Sequence, residues 1–137
     1  MRYIICILFG FFLVSCSGTG MKNISGVNSM IMNSKGQLFV GREPGYYGSA
    51  VTYRILLNGK ELGALGAGET LIGELIPGLN TVKATGTLSD LASETISFDA
   101  TKGSNKFIIV ELKRGLLIAS FRLYEVTESA FKHSMQK

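Results

Sequence analysis

The sequence predicts an all-β chain, an antiparallel β-sandwich of seven to eight short strands, and three observations carry that reading. Glycine is abundant, with 17 residues against two prolines, well above the roughly 7% of average usage. That balance points to many tight turns and not to a disordered Pro/Gly tract. Short apolar runs alternate in the manner of half-buried strands, as in Val51, Tyr53, Ile55 and Leu57 against Thr52, Arg54 and Leu56. Finally, Asn58-Gly59 and Pro77-Gly78 stand between apolar runs. The first suits a two-residue type I′ turn and the second a type II turn, so the stretch Gly48 to Asn80 reads as two hairpins back to back. A chain of 137 residues is one domain by length, with enough apolar residues to form a core unaided.

In chain order, residues 1–15 stand apart from that domain. Arg2 supplies a minimal positive start, and Tyr3 to Val14 is almost wholly apolar. The run has the length of a secretory signal core and is too short to span a bilayer. Its end, Leu13-Val14-Ser15-Cys16, resembles the bacterial lipobox, in which a small residue precedes a cysteine that is lipidated and becomes the new N-terminus. Cys16 is thus the expected lipid attachment site. Cys6 and Cys16 are the two cysteines, so cleavage and lipidation leave no thiol for a disulfide. By resemblance to the lipoprotein sorting rule, Ser17 points to the outer membrane, with the domain facing the periplasm.

Residues 16–35 form the expected lipidated N-terminus and flexible tether. Gly18, Gly20, Gly26, Ser25 and Ser29 break up any sustained period, and a coil of this length spans roughly 23 Å. Within it, Met30-Ile31-Met32 has the character of a short edge strand.

The β domain is expected over residues 36–126. Gln37 to Arg42 places Leu38 and Val40 on one face and Phe39 on the other. Glu43 to Ser49, with Pro-Gly-Tyr-Tyr-Gly, is a loop. The strand Val51 to Leu57 turns at Asn58-Gly59 and returns through Leu65. Gly66-Ala67-Gly68 is a further turn, and Thr70 to Ile76 leads to Pro77-Gly78. Val82 and Ala84 point inward in the strand after it. Gly86 to Ser93 is polar and reads as a loop or one helical turn. Ile96 and Phe98 alternate with Thr95, Ser97 and Asp99. Phe107 to Leu112 is nearly continuous in apolar residues, as in a central strand buried on both faces. Gly115 separates it from Leu116 to Val126, its hairpin partner. In residues 127–137, acidic Glu128 precedes Lys132 and Lys137, the charge order of a short helix, with a fraying end.

Catalytic patterns are scarce, and the chain reads as a non-enzyme without cofactor or metal. His133 is the single histidine and falls in the tail, which leaves no basis for Ser/His, Cys/His or multi-histidine arrangements. Glu61, Glu69, Glu74, Glu94 and Glu111 fall where outward polar strand residues fall. Gly63 to Gly68 lacks the Lys-Ser/Thr ending of a phosphate loop. Removal of Arg2 leaves 13 basic residues (14 less Arg2) against 10 acidic ones, a net charge of +3. These charges are scattered, so nucleic acid is not an expected partner. The candidate binding residues are Tyr46 and Tyr47, two amphipathic rings in a glycine-flanked loop, with Arg42 and Arg54 on the strands beside it.

The residues Gly48-Ser49-Ala50-Val51, then Leu57-Asn58-Gly59-Lys60 with Gly63, then Pro77-Gly78-Leu79-Asn80-Thr81-Val82 resemble a bacterial envelope lipoprotein family with a domain of unknown function. That family is itself similar to PEGA-type β-domains, although the Pro-Glu-Gly-Ala run is missing from this chain. The resemblance implies a β-sandwich, an envelope address and no established activity. The expected partners are the membrane, through the N-terminal lipid, and an envelope protein or cell-wall polymer. Alternative roles are a structural component that pairs through its β-edges and a carbohydrate-binding protein.

Overall fold

A computed structural model of the chain describes residues 18–45, 51–86, 93–113 and 120–137. Two four-stranded sheets pack as a β-sandwich. The first contains, in spatial order, β4 (Thr70–Glu74), β1 (Gln37–Gly41), β7 (Lys106–Lys113) and β8 (Ser120–Val126). The second contains β3 (Lys60–Leu65), β2 (Tyr53–Leu57), β5 (Gly78–Gly86) and β6 (Ser93–Ala100). Every pairing is antiparallel except that of β1 with β7. Those two strands run together because the whole second sheet and β4 lie between them in the chain.

Alternation along the strands sorts side chains into two cores. Leu38, Val40, Ile108 and Val110 point at the second sheet and meet Tyr53, Ile55, Val82, Ala84 and Phe98. Phe39, Phe107 and Ile109 point the other way, into a second cluster with Val27, Ile31, Phe131 and Met135. β7 is central and buried on both faces, which accounts for its unbroken apolar run. Phe39 and Phe107 are register partners and stack at 5.3 Å between ring centroids.

Two helices cover the outer face of the first sheet, and the first of them corrects the expectation of a tether. In place of an irregular segment or an edge strand, Ile24–Asn33 forms α1. Asn23 caps it by accepting from the Ser25 and Gly26 N–H groups at 3.0 and 3.3 Å. Ile24, Val27 and Ile31 share one face, and this three-residue stripe, sparse in a polar stretch, is enough to dock the helix. Burying Val27 and Ile31 contributes about 1.5–3 kcal/mol each.

The C-terminal residues Glu128–Met135 form the helix α2, and its last residue, Met135, is buried. Thr127 caps it, Glu128 pairs with Lys132 at 2.6 Å, and Phe131 and Met135 are buried against β1. Gly41 makes that approach possible, since a Cβ there would lie 2.7 Å from both the Met135 sulfur and the Phe131 ring.

Of the two turn pairs, one makes a hairpin and one does not. Asn58 and Gly59 have φ of 52° and 79° and join β2 to β3 as a type I′ turn. Pro77-Gly78 does bend sharply, with φ of 93° at Gly78. The strands on either side of it, β4 and β5, nevertheless belong to different sheets. It is a crossing between layers, as is Gly66-Ala67-Gly68 between β3 and β4. A glycine turn specifies a reversal of direction, whereas the sheet that the next strand joins depends on which face must be buried.

Candidate functional site

The strand registers give the sandwich two ends of different character. At one end lie Gly41 opposite Thr70, Tyr53 opposite Leu65 and Gly86, and Lys113 opposite Ser120. At the other lie Gln37 opposite Glu74, Leu57 opposite Lys60, Gly78 opposite Ala100, and Phe107 opposite Val126.

The first end holds the buried charges. Arg42, 5% exposed, follows β1 and lays its guanidinium 4.1 Å from the centroid of the Tyr53 ring. One of its N–H groups donates to the Val51 carbonyl at 2.6 Å. Tyr53 in turn meets Phe121 edge-on at 4.5 Å. Burial pushes the Arg42 pKa down, while Tyr53 and Glu69 act in the opposite direction. A cation stacked on a ring in a desolvated site contributes about 2 kcal/mol, and Arg42 joins the two sheets at this end.

Glu69 departs from its expected role as an outward polar residue, being only 1% exposed. Its carboxylate accepts from the Gly66 N–H at 2.8 Å and from the Gly20 N–H at 3.2 Å. The chain entering the domain is fastened on both sides of that bond. Thr19 N–H donates to the Ala64 carbonyl at 2.8 Å, and the Thr19 hydroxyl accepts from the Ala64 N–H at 3.1 Å. Met21 and Thr70 exchange two backbone hydrogen bonds at 2.8 and 2.9 Å. Residues 19–21 thereby lie along the edges of β3 and β4. Sequence reasoning missed this cluster because a single Glu after Gly66-Ala67-Gly68 looks the same whether its carboxylate turns in or out.

The predicted binding residues do not converge among the described residues. Arg42 points into the sandwich, whereas Arg54 alternates with the buried Tyr53 and Ile55 and so lies on the opposite, outer face of β2. Arg42 also lines a cleft of about 250 Å³ with Pro44, Ile109 and Leu112. Tyr46, Tyr47 and Cys16 lie outside the described residues. His133 is exposed on α2. Among the described residues no three His, Cys, Asp or Glu side chains gather as metal ligands, and no helix is long and apolar enough to cross a membrane.

The opposite end has a cleft of about 330 Å³ lined by Lys35, Glu74, Ile76, Pro77, Thr101 and Lys102. Ile76 and Leu79, beside the crossing at Pro77-Gly78, are 54% and 63% exposed. Beneath them Asn80 is fully buried. It donates to the Ile76 and Gly78 carbonyls at 2.7 and 3.0 Å and accepts from Asn58 at 3.0 Å. The two turns are thus held as one rigid unit. Compared with protein-family models, with curated proteins and with solved structures, the chain has no match.

Proposed function

We propose that the chain is a lipid-anchored protein of the bacterial cell envelope, its β-sandwich serving as a non-catalytic binding or accessory domain. The observation that carries this reading is the apolar run Tyr3 to Val14 closing on Leu13-Val14-Ser15-Cys16. An apolar run of that length followed at once by a small residue and a cysteine is what lipidation at Cys16 requires. Several acyl chains, each contributing about 0.8 kcal/mol per buried CH₂, make such an anchor effectively permanent. Ser17 and the resemblance to envelope lipoproteins favour the outer membrane, facing the periplasm.

The binding role draws support from what the fold leaves on offer. Edge pairing with another chain has less support. Thr19 and Met21 occupy the edges of β3 and β4, and the Glu94 carboxylate accepts the Leu123 N–H of β8 at 3.2 Å. A protein or cell-wall polymer recognised through side chains fits better than one recruited by an open strand.

Fatty-acid labelling of cells expressing the chain or its Cys16→Ser variant tests the anchor. Label is expected on the former and none on the latter, which is released in soluble form. Persistent label on the variant sinks the reading. Crosslinking in intact cells then identifies neighbours. Loss of a crosslink in a folded Tyr46→Ala, Tyr47→Ala double variant assigns that loop to binding, and retention removes it.

A further inference from the structure

We infer that the domain is mounted on the membrane in a fixed orientation, with the corner between β3 and β4 toward the lipid and the Asn58-Gly59, Pro77-Gly78 and Lys102-Gly103 turns pointing away. This rests on lipidation of Cys16, and it adds what a tether denies: a defined near face and far face.

The argument is one of chain length and anchorage. A tether over residues 16–35 spans roughly 23 Å and lets a domain tumble freely. In this chain, pairing starts much sooner. Gly18 sits so tightly against the corner that a Cβ would lie within 2.6 Å of the Glu69 carboxylate, the Ala64 carbonyl and the Gly66 nitrogen. Thr19, Gly20 and Met21 then bond to Ala64, Glu69 and Thr70 in succession.

The Cα of Cys16 is two residues before that of Gly18, at most about 7.6 Å away. Acyl chains on Cys16 therefore hold the Ala64–Thr70 corner within about 10 Å of the headgroups. β7, of eight residues, rises about 3.3 Å per residue. The far turns consequently lie roughly 25 Å from that corner along the strands. A neighbour in the aqueous compartment meets the Ile76 and Leu79 end first, and a lipid surface meets the Ala67 end.

The test uses the intact lipoprotein in vesicles that carry a short-range quencher on the lipid headgroup. A fluorophore is placed on one introduced thiol at a time. Lys22→Cys and Ala67→Cys report the near end, and Lys60→Cys and Lys102→Cys the far end. Acylation occupies Cys16, so the introduced thiol is the one that reacts. At least twofold stronger quenching at Lys22 and Ala67 than at Lys60 and Lys102 is expected. Equal quenching at all four positions, with acyl chains confirmed on Cys16 by mass, overturns the orientation and leaves the anchor standing. An unacylated Cys16 removes the anchor and the orientation together.

Discussion

The Glu69 carboxylate accepts the Gly20 N–H at 3.2 Å across 49 residues of sequence, and this bond fastens the incoming chain to the corner where the two sheets exchange strands. With its other acceptor contact at Gly66 the buried carboxylate satisfies two backbone donors, the Gly66 N–H in a buried position and the Gly20 N–H in a part-buried one. Glu69→Ala removes the acceptor of both donors, which costs about 1–3 kcal/mol at the buried Gly66 N–H and less at the part-buried Gly20 N–H. A loss of roughly 2–4 kcal/mol in urea unfolding is expected, together with faster amide exchange at Gly20 and Gly66. An unchanged midpoint with protected amides is incompatible with this role for the carboxylate.

Arg42 has a similar joining role made from different chemistry. Lysine in its place keeps the charge but loses the planar stack over Tyr53 and the directed bond to the Val51 carbonyl. Arg42→Lys should destabilise the fold by about 1–2 kcal/mol. Denaturation of the variant at low and high salt checks the cause, because a buried stack is little screened. Wild-type stability of the variant rules out the stack as a joint.

The docking of α1 can be measured directly. Ile31 is buried in the cluster shared with Phe39 and Phe107, so Ile31→Ala should cost about 2–4 kcal/mol. The exposed neighbour Met32 provides the control, and Met32→Ala should fall within about 0.5 kcal/mol of wild type. Equal small effects at both positions fit a tether and contradict a packed helix.

Those predictions mark where the sequence was readable and where it was not. The strands were legible because their alternation is local: Leu38 and Val40 against Phe39, and Val82 and Ala84 inward, follow from the two-sided pleat alone. The Asn58-Gly59 hairpin was legible for the same reason, since both residues accept positive φ. By contrast, α1 depends on an apolar surface that exists only once β1 and β7 have paired, and the i, i+3, i+7 spacing of Ile24, Val27 and Ile31 is masked in the sequence by Gly26 and by the exposed Met30 and Met32 beside it. The crossing at Pro77-Gly78 and the inward carboxylate of Glu69 are likewise decided by distant partners. No local signal separates them from a hairpin or from a solvated Glu.

Tyr124 gives the pH dependence a handle. Burial, then Glu111 and Glu43, push its hydroxyl pKa above the ordinary value, with Arg122 opposing. The folded state therefore holds this proton more tightly than the unfolded chain does. The associated stability is complete below about pH 10 and is lost as pH rises through the folded-state pKa. Tyr124→Phe should lose less stability than wild type between about pH 9 and about pH 11. Parallel urea midpoints for the two proteins at those pH values indicate that Tyr124 is not the group responsible.

The anchor at Cys16 is the claim on which the functional account depends, and the mass of the N-terminal peptide of the mature protein, purified from membranes, tests it most directly. The account predicts a peptide that begins at Cys16 and carries acyl chains on that residue. A mature protein that begins elsewhere, or that retains Cys16 as a free thiol, contradicts it.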